Sequence, residues 1–346
     1  MMQVRSTQIA NDSARSQAGD EGRLARVPSG PVSDPRPTLK RRVKDLGKRG
    51  LRRLFEVGQR FGVDILPRHF YSEVPSIDDL RRDRAWMAPR SMVGVGGAEA
   101  DVQFEFVESC CTPELIARLR RDDIHRDACA TNREPGYSPV DADFLFGFLQ
   151  AVRPEKIVQV GCGVSTAIML RAVGEAEGYR PEIVCVEPYP TGFLKEAHQA
   201  GSIRLVEEKA QTVALETLTD LGEGGFLFVD STHAVRPGSE VNRLILEVLP
   251  RLRPGSWVHF HDIYFPYDYQ RGLLDDELFF SNESVLLHAF LINNSEYVIR
   301  ASLSMLHHAD PARLGRSLPN YRPAGNDQGL RKGDGHFPGA IYLQSF

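Results

Sequence analysis

Four short stretches carry side chains able to do chemistry, and each begins where an apolar run stops. The first is Ile157-Val158-Gln159-Val160-Gly161-Cys162-Gly163-Val164-Ser165-Thr166. An apolar run entering Gly-x-Gly predicts a strand, a tight turn and then a helix whose first N–H groups are free to meet a ligand. The second is Glu187, which ends the next apolar run, Ile183-Val184-Cys185-Val186. The third is Phe228-Val229-Asp230-Ser231-Thr232-His233, and the fourth is His259-Phe260-His261-Asp262. In a doubly wound sheet ligands gather at the carboxyl ends of the strands, so all four stretches address one crevice. A carboxylate there can orient a cation, hold Mg²⁺ or assist a base, and a histidine can accept a proton near neutral pH. The competing readings are a helix cap for Asp230 and a hydrogen-bonded strand-end histidine for His261.

The glycine turn also says something about the ligand. A dinucleotide fingerprint needs a third glycine where this sequence has Thr166. That departure disfavours a nicotinamide cofactor and suits a ligand without a pyrophosphate, such as S-adenosylmethionine (SAM). Glu187 is then placed to accept hydrogen bonds from both ribose hydroxyls.

The elements that must position these residues alternate regularly. Strands are predicted at Lys156–Val160, Ile183–Val186, Ile203–Val206, Phe226–Val229 and Trp257–Phe260, with two more around Glu296–Ala301 and Ala340–Gln344. Helices are predicted at about Pro113–Asp122, Asp141–Val152, Glu240–Leu252 and Glu283–Leu291, with another starting near Ser165. Short apolar strands alternating with helices predict an α/β fold: a Rossmann-like, seven-stranded, mostly parallel sheet with helices on both faces. It is preceded by an irregular and partly helical N-terminal region, so three parts are expected. Residues 1–38 are rich in Ser, Arg, Gly, Asp and Pro and are read as a disordered tail. Residues 39–139 hold a basic helix and an irregular substrate-covering region, and 140–346 hold the sheet.

The basic helix, Lys40 to Arg60, concentrates Lys and Arg, with Val43, Leu46, Leu51, Leu54, Phe55 and Phe61 at helical spacing, although Gly47 and Gly50 weaken it. A basic face packed on its own domain is favoured over peripheral contact with an anionic membrane, and both readings stay open. The formal net charge of the whole chain is −4, so nucleic acid is not an expected partner. The five cysteines, Cys110, Cys111, Cys129, Cys162 and Cys185, include no Cys-x-x-Cys pair, which argues against a zinc knuckle or a disulfide framework. Without an apolar leader or an uncharged spanning run, the expected location is the cytoplasm.

Together these segments resemble bacterial class I SAM-dependent methyltransferases of the methyltransferase domain 24 group. The resemblance rests on Val160–Thr166, Val186–Pro190, Phe228–His233, Gly238–Asn242, Leu249–Gly255 and His259–Tyr269, and covers about Gly58 to Phe346. It implies methyl transfer from SAM, here to an oxygen of a small-molecule or glycan- or lipid-linked acceptor. Gly161 and Gly163 would lie under the methionine part, Glu187 would hold the ribose, and Gln211 would lie near the adenine. Gln159, Ser165, Thr166 and Asp230 complete the expected cofactor site. His233, His261 and Asp262 are the expected catalytic residues, and Asp230 with Asp262 is a candidate Mg²⁺ pair. Two alternatives remain: a catalytically silent SAM-binding or docking protein, and a nicotinamide-dependent oxidoreductase.

Overall fold

The computed structural model describes residues 39–270, 273–274, 280–321 and 337–346, with 39–49 as backbone. The expected disordered tail, 1–38, lies outside the described residues. The chain divides into two compact units, Met1–Ser72 and Glu73–Phe346. In the first, a helix spans Leu39–Arg60, as the basic periodicity predicts. Residues 73–139 belong to the same unit as the sheet.

The second unit is built on seven strands: β1 (Lys156–Val160), β2 (Glu182–Val186), β3 (Arg204–Val206), β4 (Phe226–Val229), β5 (Trp257–Phe260), β6 (Tyr297–Ser302) and β7 (Ile341–Ser345). Their order is β3-β2-β1-β4-β5-β7-β6. Strands β1 to β5 pair in parallel, and β7 runs antiparallel to both its neighbours. The mostly parallel sheet is therefore present as expected. Its strands are apolar on both faces because both are covered. Along β4, Phe226 and Phe228 join one core cluster, while Leu227 and Val229 join the other. The first cluster packs under the Pro139–Val152 and Val164–Glu175 helices; the second packs under Val241–Leu249 and the Glu283–Leu291 helix.

Three expectations about the elements are corrected. The stretch 62–139 is more helical than its prolines suggest, with helices at Ala100–Cys110 and Ile124–Asn132 besides Pro113–Arg121. The first buries Phe104, Val107 and Cys110 against the sheet, a tertiary gain that its weak periodicity does not announce. The helix expected over Glu240–Leu252 changes pitch, with α-helix to Arg243, π-helix over Leu244–Val248 and 3-10 helix over Leu249–Arg251. Pro250 lacks the N–H an α-turn would use there, which fits that tightening. Two further helices, Leu303–Ala309 and Pro311–Ser317, follow β6 where none was expected.

The fully buried Phe148 packs against the rings of Phe226, Trp257 and Tyr342, with centroids 4.9, 5.2 and 4.8 Å away. Phe148→Ala should therefore cost about 3–5 kcal/mol of unfolding free energy, measured by urea denaturation.

Candidate active site

The carboxyl ends of five adjacent strands are tied together by backbone hydrogen bonds. The Glu187 N–H donates to the Val206 carbonyl, Gly161 N–H to Val186, Asp230 N–H to Val160 and His261 N–H to Val229. This lateral ladder aligns Glu187, Gly161, Asp230 and His261 along one edge of the sheet. Gly161 holds φ +78°, and a Cβ there would lie 1.7 Å from the Asp230 carbonyl oxygen. The glycine is thus required by the close approach of β1 and β4 at their ends, before any ligand is considered.

Two adjoining hollows open at this edge and share Gly161, Glu187 and Asp230. One, of about 230 Å³, is walled by Asn132, Tyr137, Gly163 and Ser165; the other, of about 400 Å³, by Tyr189, Gln211, Arg236 and Glu240. The Glu187 carboxylate spans the boundary, accepting from Cys162 N–H at 3.2 Å and Tyr189 N–H at 2.9 Å. Gln211 donates to Glu240 at 2.7 Å, and Glu240 also accepts from Thr232 N–H at 2.9 Å.

Gln159 and Thr166, expected to touch the cofactor, lie beneath the turn instead. Both are fully buried. The Gln159 amide donates to the Gly161 carbonyl and to Ser165 Oγ, and accepts from Thr166 Oγ1, which itself accepts from Gly163 N–H. These two side chains brace the loop. Their polar groups are consumed by one another, as buried polar groups must be.

Past the glycine turn lies a cluster of charges. His233 Nδ1 stands 2.8 Å from the fully buried Glu283, and its Nε2 faces Asp230 at 3.4 Å and Asp262 at 3.7 Å. His261 Nε2 stands 3.0 Å from the fully buried Asp141, and its Nδ1 faces Asp230 at 3.5 Å and Asp262 at 3.6 Å. Each imidazole is pinned from behind by a buried carboxylate and looks forward onto the same two aspartates. Asp141 sits in the first turn of the Pro139–Val152 helix and also accepts from Gly339 N–H and Ala340 N–H. Glu283 opens the Glu283–Leu291 helix, where Asn282 N–H and Glu283 N–H bond back to the His233 carbonyl. His233 and Asp262 both hold φ +56°, a strained conformation for residues other than glycine.

The electrostatics follow from this packing. Burial alone would push both imidazoles down. Asp230, Glu283 and Asp262 hold His233 well above 6.5, and Asp262, Asp230 and Asp141 do the same for His261. Burial pushes Asp230 up, but the charges of His261 and His233 outweigh it and hold its carboxyl below the usual range. Both imidazoles are therefore biased towards the protonated form. Tyr137, also at positive φ, lays its ring 4.6 Å from that of His261. Sequence reasoning missed Asp141, Glu283, Tyr137 and Asn132, since each comes from an element whose neighbours are set only by folding.

The same geometry tests the Mg²⁺ reading. Asp230 and Asp262 each face two imidazole edges rather than a shell of further oxygen ligands. Among the described residues no group of three or more His, Cys, Asp or Glu side chains is arranged to hold a metal ion. The donor set does not fit Mg²⁺, which prefers several oxygen ligands in near-octahedral geometry.

Residues 158–263, which contain the glycine turn, Glu187, Asp230, His233, His261 and Asp262, match the methyltransferase domain family. The chain carries a SAM-dependent methyltransferase domain. The methyltransferase is 25% identical over 174 residues to an uncharacterized protein of Archaeoglobus fulgidus, spanning 49% of this chain and 76% of that one. It is similar to a Podospora anserina methyltransferase solved with S-adenosylhomocysteine (SAH), with 15% identity and a TM-score of 0.39, covering 68% of this chain and 97% of that chain. It is also similar to the O-methyltransferase TomG of Streptomyces achromogenes, with 15% identity and a TM-score of 0.37, covering 65% and 90% of the two chains. The family match favours the methyltransferase reading over the nicotinamide-dependent one.

The raised imidazoles set a pH dependence. A group whose pKa is higher folded than unfolded adds stability that is complete below its unfolded value and is lost as pH rises through the folded one. The contribution of His233 and His261 should thus be present at pH about 6 and fade on the alkaline side. Asp230 contributes in the opposite sense, losing its share only in strong acid. Melting temperature should fall from pH about 7 to about 10, and less steeply in a His233→Gln, His261→Gln double variant. Imidazole titration followed by NMR should place His233 well above 6.5 in the wild type and lower in Glu283→Gln.

Proposed function

We propose that this methyltransferase methylates a hydroxyl oxygen of a small-molecule or glycan- or lipid-linked acceptor, with Asp262 receiving the hydroxyl proton. The observation that carries this reading is the asymmetry of the charge cluster. Asp141 and Glu283 are sealed behind the imidazoles, whereas the Asp262 side chain is 37% exposed at the front and reachable by an acceptor.

When bound, SAM supplies an electrophilic methyl group on a sulfonium. The chain's residues that would hold it are Gly161, Gly163 and Ser165 along one hollow, Glu187 for the ribose hydroxyls, and Gln211 with Glu240 towards the base. Asp230, held ionised beside both hollows, favours a cationic donor over its neutral product. His233 and His261, biased towards the protonated form, are poorer first bases than Asp262. They fix the orientation of Asp262 and stabilise the charge left on Asp230. Asp262 would accept the proton of the acceptor hydroxyl, and Tyr264, whose hydroxyl donates to Asp262 at 3.1 Å, steadies that carboxylate. No step passes through a metal ion.

SAH should bind the wild type in isothermal titration calorimetry, and Glu187→Ala should weaken it by about 1–3 kcal/mol, the loss expected for hydrogen bonds to a charged group. Turnover on an accepted substrate should survive EDTA and fall at least about a hundredfold in Asp262→Asn, within the range a positioned proton acceptor provides. Abolition by EDTA with rescue by Mg²⁺ would overturn the metal-free reading.

A further inference from the structure

The first compact unit carries a basic, amphipathic surface. Its helix, Leu39–Arg60, reads LKRRVKDLGKRGLRRLFEVGQR, with nine Lys or Arg residues against Asp45 and Glu56. At 100° per residue Val43, Leu46, Leu54 and Val57 fall on one arc and Arg41, Lys48, Arg49 and Arg52 on the opposite one, with Leu51 and Phe55 on the basic side. Such a basic amphipathic helix is ordinarily a helix whose apolar stripe is covered by its own domain. On this arc Leu54 and Val57 are exposed. The segment that follows continues it. Phe61, Phe70 and Tyr71 are 80%, 93% and 83% exposed, and the last two rings pack edge-on at 5.1 Å. Eight of the sixteen large exposed apolar side chains among the described residues lie between Leu54 and Tyr71. Scattered exposed apolar residues are ordinary, but this density in so short a stretch marks an interaction surface.

We propose that the Leu39–Tyr71 segment docks the methyltransferase on an anionic lipid bilayer. Two features select this occupant. The cation density complements anionic headgroups, and it is local, since the whole chain has a net charge of −4. Nucleic acid would satisfy the cations yet leave the Phe and Leu side chains in water. A bilayer interface accommodates both, with the apolar arc and the Phe70–Tyr71 pair below the headgroups and the guanidinium groups among them. No helix among the described residues is long and apolar enough to cross a membrane, so the contact is peripheral. The proposal does not depend on how the methyl group is transferred.

Sedimentation of the full-length protein with phosphatidylcholine vesicles, with and without about 30 mol % phosphatidylglycerol, tests it. The protein should pellet with the anionic vesicles only, and raising salt from about 0.1 M to about 0.5 M should weaken binding about tenfold or more. Arg52→Glu with Arg53→Glu, and separately Phe70→Ser with Tyr71→Ser, should each weaken binding about tenfold at unchanged melting temperature and SAH affinity. Absence of anionic-vesicle binding, equal binding to neutral vesicles, or indifference to both double variants overturns the proposal. So does retention of the charge effect alone with preferential capture by duplex DNA, which would reassign the surface to nucleic acid. Loss of SAH binding in the wild type would count against the methyl-transfer reading and leave this one standing.

Discussion

Buried charge is the constraint on which the centre of this molecule depends. Glu283 and Asp141 are fully enclosed, and an isolated carboxylate in such a place costs several kcal/mol. Each is tolerated because an imidazole sits within 3.0 Å of it. Each imidazole in turn is biased towards its charged form by the two aspartates ahead of it. Removing any member leaves another buried charge uncompensated, so the cluster is held as a unit. That mutual dependence orients Asp262, the most exposed of the four carboxylates.

The sheet delivers these groups to one place. Parallel pairing of β4 with β5 puts Val229 opposite Phe260, so Asp230 and His261 emerge side by side. Parallel pairing of β1 with β2 and β4 does the same for Gly161, Glu187 and Asp230. The antiparallel β7 has a further part in the site. It returns the chain past Gly339 and Ala340, whose N–H groups bind the Asp141 carboxylate and leave it oriented towards His261. The glycine turn has a comparable double role, closing the β1–β4 contact and lining both cofactor hollows.

The strained backbone at His233 and Asp262 belongs to the same economy. Positive φ turns both side chains back towards the strand ends, and tertiary contacts hold them there. For His233 those contacts are the N–H groups of Asn282 and Glu283; for Asp262 the flanking contact is Ile263 N–H to the Gly339 carbonyl.

The sequence by itself determined the strands, their mostly parallel arrangement and the residues at their ends. These properties are local: a buried parallel strand must be a short apolar run, and the polar residue that stops it must lie at the sheet edge. His233, His261, Asp262, Asp230 and Glu187 were legible for that reason, as was the Leu39–Arg60 helix. Tertiary structure alone decided what those residues mean. Whether a histidine is a base or a cation depends on what stands behind it, and Asp141 and Glu283 approach from helices 120 and 50 residues away in the chain. The same holds for Gln159 and Thr166, whose side chains read as ligand contacts until the fold turned them under the loop. Sequence spacing reports which strand a residue ends; only packing across the sheet reports which charges it must share.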